Sequence, residues 1–149
     1  MAAIVESIEI TRRPDDVFAY VTDASQFPDW QESVVAARPE GDAPLAVGAR
    51  TVVTRRVGGR AVSTTEEVTE LQPPRRWGFR GVGGIPVTGF ADGTIEPLDG
   101  GRRSRVTIAL EFEGHGIGRL LVPLVVRRQA RKQLPRTQQQ LKAILERHT

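Results

Sequence analysis

The 149-residue chain contains no cysteine, which excludes disulfides, iron–sulfur clusters and thiol nucleophiles. Histidine is nearly as scarce: His115 and His148 stand alone, too few and too far apart in sequence for a histidine-built metal site. No Asp/Glu/Gly loop of calcium-binding type is visible either, so neither metal nor cofactor is expected. Long apolar runs are missing as well. The longest, LLVPLVV at Leu120–Val126, falls far short of the ~20 residues of a spanning helix. MAAIVESIEI lacks a charged start before an apolar stretch, so no signal peptide is read there and a soluble, cytoplasmic protein is expected. Lysine is rare among the cations, with two Lys against nineteen Arg.

The net charge is only +3, and the basic residues are spread along the chain except for one run, RRQARKQLPR at Arg127–Arg136. No nucleic-acid partner is expected. The plain reading of the run is a solvated helix face; the alternative is a contact for an anionic ligand group or a membrane surface. Aromatics make up 5% of the chain, yet Phe18, Tyr20, Phe27 and Trp30 crowd into VFAYVTDASQFPDWQESV. Such a cluster covers something large and apolar, either a core or a cavity.

Residues 1–149 read as one domain. AIVESIEI is β-branched and roughly alternating, a first strand. Pro14 suits the first turn of a helix, with Asp15 and Asp16 at its positive end. DASQFPDW predicts a second short helix that Pro28 keeps short. Six strands are then expected, at 33–38, 50–57, 60–71, 76–81, 87–97 and 103–112. Their separators are turn signals: PEGDAP, VGGR, QPPRR, GVGGIP and LDGGRR, with the DGG of Asp99–Gly101 the clearest hairpin tip. From Gly116 onward the pattern is helical, with Leu120, Leu121, Leu124, Val125, Leu134, Leu141, Ile144 and Leu145 forming one apolar stripe. Pro123 and Pro135 should kink it. Strands in series joined by tight turns form a twisted antiparallel meander, and the helix must bury its stripe on the concave side. The predicted fold is an α+β helix-grip: a curved antiparallel seven-stranded sheet wrapped around a long C-terminal helix, with two short helices after the first strand.

Four stretches carry a family resemblance: VESIEITRRPDDVFAYVTDASQFPDWQESVV, VGAR at Val47–Arg50, EVTELQPPRRWGFRG at Glu67–Gly81 and LKAILE at Leu141–Glu146. Together they resemble the START/Bet v 1-like (SRPBCC) superfamily, and within it the bacterial polyketide cyclase/dehydrase and lipid-transport-like branch. The resemblance implies a deep pocket between sheet and long helix, closed at one end by the short helices with Phe18, Phe27 and Trp30. It speaks to shape more than to reaction.

Alternation assigns the strand faces. Val106, Ile108, Leu110 and Phe112 should point inward together, as should Trp77 and Phe79, leaving Gly78 and Arg80 opposite. The phase of Ile95 places Ala91 and Gly93 beside it, and two small side chains there leave room for a cavity. If Val62 and Val68 face in, so do Thr64 and Glu66; Val53, Arg55 and Val57 share a parity of their own. A carboxylate on an apolar wall suits general acid–base work, so Glu66 is a candidate catalytic residue. The plain alternative is that Glu66 lies near the strand end or pairs with Arg55. Leu71 has the wrong parity, which predicts a bulge or an edge. His115, in a Gly-rich loop before the helix, is a loop or capping residue or else a second proton-transfer candidate. Leu120, Leu124 and Arg128 would reach the pocket from the helix, Arg128 (and Arg131) holding an acidic ligand group. No G-x-S-x-G, Ser/His/Asp set or P-loop occurs, and GVGG at Gly81–Gly84 spans a turn.

Three readings follow. The first is a monomeric or homodimeric protein that binds a hydrophobic small molecule, such as a polyketide, lipid or sterol-like compound. The second is a polyketide cyclase/dehydratase acting in the same cavity by positioning and proton transfer. The third is a membrane-surface or protein-interaction module using the Arg-rich helix, with membrane contact not favoured.

Overall fold

A computed structural model describes residues 3–57, 59–82 and 87–147. The centre of the Val57–Arg60 turn, residues 83–86 of the expected GVGGIP turn and His148 lie outside them. Strand β1 (Ile4–Ile10) leads to helix α1 (Pro14–Val21), a 3₁₀ turn at Ala24–Gln26 and helix α2 (Phe27–Trp30). Strands β2 (Val34–Pro39), β3 (Arg50–Val57), β4 (Arg60–Gln72), β5 (Arg76–Val82), β6 (Val87–Leu98) and β7 (Arg103–Gly114) follow. The chain then runs through helix α3 (Gly118–Leu121), a π turn at Val122–Val126 and helix α4 (Arg127–Arg147).

The strands form a single antiparallel sheet in the order β1-β7-β6-β5-β4-β3-β2. Tight turns make each strand the neighbour of the next, and β1 closes the far edge on β7. The β6–β7 tip carries three successive left-handed residues, Asp99, Gly100 and Gly101, a backbone that two glycines adopt without steric penalty. The curved sheet and the long helix make the helix-grip architecture predicted from the residues.

The α1 cap follows its sequence: Pro14 opens the helix, Asp15 and Asp16 sit in its first turn, and Val17, Phe18 and Val21 are buried. Asp23 then caps the 3₁₀ turn by accepting the Ser25 backbone N–H at 3.0 Å. Helix α4 buries Ala130, Leu134, Leu141, Ile144 and Leu145. It is fastened to β1 by polar contacts. Buried Gln138 donates from Nε2 to the Glu6 carbonyl at 2.9 Å, Lys142 donates to the Glu9 carbonyl at 2.7 Å, and Glu146 accepts the Thr11 N–H at 2.9 Å.

The single apolar stripe expected along the whole C-terminal helix is not what forms. Leu120 and Leu124 are 66% and 65% exposed, and Leu121 and Val125 are exposed with them. The cause is the π turn around Pro123, where Arg127 donates to the Val122 carbonyl, five residues back. A turn wider than 3.6 residues shifts the helical phase. Gly118 ahead of it and Val122 at its start face the protein in place of the leucines. Gly118 approaches so closely that a Cβ on Gly114 would meet its carbonyl oxygen at 2.3 Å.

Candidate functional site

The register settles which side chains share the inner face of the sheet. Val106, Ile108, Leu110 and Phe112 of β7 oppose Ile95, Gly93, Ala91 and Gly89 of β6. Gly93 and Ala91 in turn oppose Trp77 and Phe79 of β5, and Phe79 and Gly81 oppose Val68 and Glu66 of β4. Across β3, Glu66, Thr64 and Val62 oppose Thr51, Val53 and Arg55. A bulge between Val68 and Glu70 returns Leu71 to this same face, opposite Trp77.

At one end this face is closed. Val53, Val68, Trp77, Phe79, Ile95, Val106 and Ile108 are buried beneath the short helices and α4. Phe18 meets Trp77 edge-on at 6.4 Å, and Phe27 meets both Phe79 and Trp30 edge-on at 6.2 and 6.3 Å. Half the aromatics therefore crowd into the short helices because they cap the wall presented by Trp77 and Phe79. The space expected above Gly93 is filled: a Cβ there would lie 2.1 Å from the Trp77 indole. Gly93 makes room for the tryptophan of its neighbouring strand and not for a ligand.

At the other end the inner face is only half covered. Thr64, Glu66, Ala91, Leu110 and Phe112 are all half-buried, and Val62, further along β4, is exposed. Glu66 does face inward, and its carboxylate is paired with the Arg55 guanidinium at 2.9 Å. Arg55 also donates to the Ser33 hydroxyl at 3.2 Å. The ion pair, with Thr51 and Thr64, thus forms a polar strip beside the apolar part of the floor.

The remaining candidates lie apart from that floor. His115 is exposed, its Nε2 3.2 Å from the Thr88 hydroxyl. Arg128 and Arg131 are exposed on α4, as are Leu120 and Leu124 before it, so none of the four is packed into the interior. Asp92 and Arg80 sit on the outer face. Burial pushes the Asp92 carboxyl up, and Glu70 and Glu111 push the same way. Two open clefts, of about 520 and 410 Å³, lie outside the space between sheet and α4. One is at the α1 start near Arg75 and Arg102, the other between the α1 end and the β2–β3 connection.

Sequence reasoning counted Tyr20 in the aromatic cluster but gave it no place in a site. Its hydroxyl, like the Trp30 Nε1–H, is buried with no hydrogen-bond partner among the described residues. Burial, then the charge of Asp29, pushes the Tyr20 hydroxyl up. Its place three residues after Val17, on one helical face, was the available signal. A buried polar atom without a partner is costly, so both mark places where a polar atom would be welcome.

Among the described residues no group of three His, Cys, Asp or Glu is placed to hold a metal, and no helix is long and apolar enough to cross a membrane. No curated protein sequence matches the chain significantly. Solved structures do. A START superfamily protein from Mycobacterium smegmatis superposes with a TM-score of 0.78 at 15% identity, over 100% of both chains. TTHA0849 from Thermus thermophilus gives 0.74 at 19% identity, over 95% of this chain and 94% of that one. The di-domain ARO/CYC BexL from the BE-7585A biosynthetic pathway gives 0.72 at 18% identity, with 98% of this chain covering 47% of that one. These likenesses establish the fold. The family described as polyketide cyclase/dehydrase and lipid transport matches residues 1–146, and the chain belongs to it.

Proposed function

We propose that the protein binds a hydrophobic small molecule, of polyketide, lipid or sterol-like type, on the half-covered inner face of its sheet. The observation that carries this reading is the contrast between the two ends of that face. Ile95, Val106 and Ile108 are sealed, whereas Ala91, Leu110 and Phe112 stay half-buried, although alternation aims all of them inward. Half-covered apolar side chains on a concave wall gain from contact with an apolar ligand. The neighbouring Arg55–Glu66 pair would orient a polar group of that ligand.

The same pair supports a second reading, cyclisation and dehydration of a poly-β-ketone. Arg55 N–H groups would hold a keto oxygen, and Glu66 would accept and return a proton. Native mass spectrometry of the purified protein, with extraction of whatever co-purifies, tests binding. A retained hydrophobic compound is expected, and Ala91→Phe should weaken its retention about tenfold by filling the floor. Glu66→Gln separates the two readings: retention without turnover favours the cyclase. No retained compound, together with no binding of a hydrophobic fluorescent probe, overturns both.

A further inference from the structure

We infer that the exposed apolar face at the start of the C-terminal helix docks on an anionic lipid bilayer. Ten large apolar side chains are exposed on the described surface, and five of them fall within residues 117–125. Ile117, Leu120, Leu121 and Leu124 recur at three- and four-residue spacing, which places them on one side of the helix. Ile117 is as exposed as Leu120, at 66%. Beyond the π turn the next exposed side chains include Arg128, Arg131 and Lys132. The helix therefore offers an apolar patch continued by cations, the amphiphilic pattern that settles at a lipid interface.

Charge singles out the occupant. Residues 114–145 carry seven Lys and Arg and no Asp or Glu. The rest of the chain has fourteen cations against eighteen carboxylates and is net negative, although the whole is +3. An anionic surface therefore attracts this segment and repels the remainder, which both recruits and orients the molecule. A second copy fits less well, because the same segment supplies no carboxylate to face these cations. The inference goes beyond the binding reading above, since docking requires no ligand in the interior.

Co-sedimentation of the full chain with vesicles tests it. Phosphatidylcholine vesicles with about 30% phosphatidylglycerol should bind about tenfold or more better than pure phosphatidylcholine, and about 0.5 M salt should release the protein. L120E/L124E replaces exposed residues, so circular dichroism should stay unchanged while vesicle binding falls about tenfold. R128E/R131E should abolish the preference for anionic lipid while leaving the fold intact. Three outcomes overturn the inference. One is absence of binding to anionic vesicles. Another is binding that L120E/L124E leaves intact, which would reduce the effect to bulk charge. The last is a solution dimer that L120E/L124E dissociates while vesicles go unbound, which would assign the face to a second copy. Because the vesicle experiment uses no interior ligand, its failure is distinguishable from failure of ligand retention.

Discussion

Gly93 lies under the Trp77 indole, and the absence of a side chain there lets the ring lie against the sheet between Phe18 and β6. A methyl at this position must push a buried ring aside. Gly93→Ala should destabilise the protein by about 1–3 kcal/mol, as overpacked cores do, and should change the near-ultraviolet signal of Trp77. Urea denaturation of the variant measures the first effect. In a Trp77→Leu background the penalty should nearly vanish, because the clashing ring is gone. Alternation along β6 was enough to turn Gly93 inward. What lies over it depends on the β5–β6 register, which pairs Trp77 with Gly93, and register is a property of two strands. Glu66 makes the same point: its inward direction was legible from Val68, whereas its pairing with Arg55 needed both strands in place.

Among the elements, the contact between α4 and β1 combines packing with charge. Glu146 accepts from Lys142 and from the Thr11 N–H, both at 2.9 Å, and these bonds, Lys142 first, hold its carboxyl below the usual range. A lowered value in the folded state means that the ionised form stabilises the fold. That contribution is complete above the ordinary glutamate value of about 4.3 and fades as pH falls through the lower folded value. Glu146→Gln should lower Tm by about 2–4 °C at neutral pH. The gap to the unaltered protein should close on acidification, as thermal melts across pH would reveal. The strands were legible almost to the residue, because Gly, Pro and Asp punctuate them: β3 runs from Arg50 to Val57 and β7 starts at Arg103, as predicted. The helix was legible in extent but not in phase. A 3.6-residue pattern read straight through Pro123 puts Leu120 and Leu124 on the Leu134 face, and the π turn removes them from it.

Across the whole molecule, sheet and helix close around the pairing of the first strand with the last. Ser7 bonds Thr107 across 100 positions, and Thr11 bonds Glu146 across 135. The meander from β2 to β7 joins neighbours in sequence and asks little of chain closure, whereas β1 must wait for partners far along the chain. On a ribosome, β1 emerges ahead of the other strands, and neither its strand partner β7 nor helix α4 exists until the whole meander has been made. Nascent chains stalled before Arg127 has left the exit tunnel should remain open to protease at β1, and protection should appear only once α4 is outside. Throughout that interval an unpaired β-branched strand, IVESIEI, is displayed without cover. The like charges of Glu6 and Glu9 would oppose pairing of two such strands from chains growing side by side on one message.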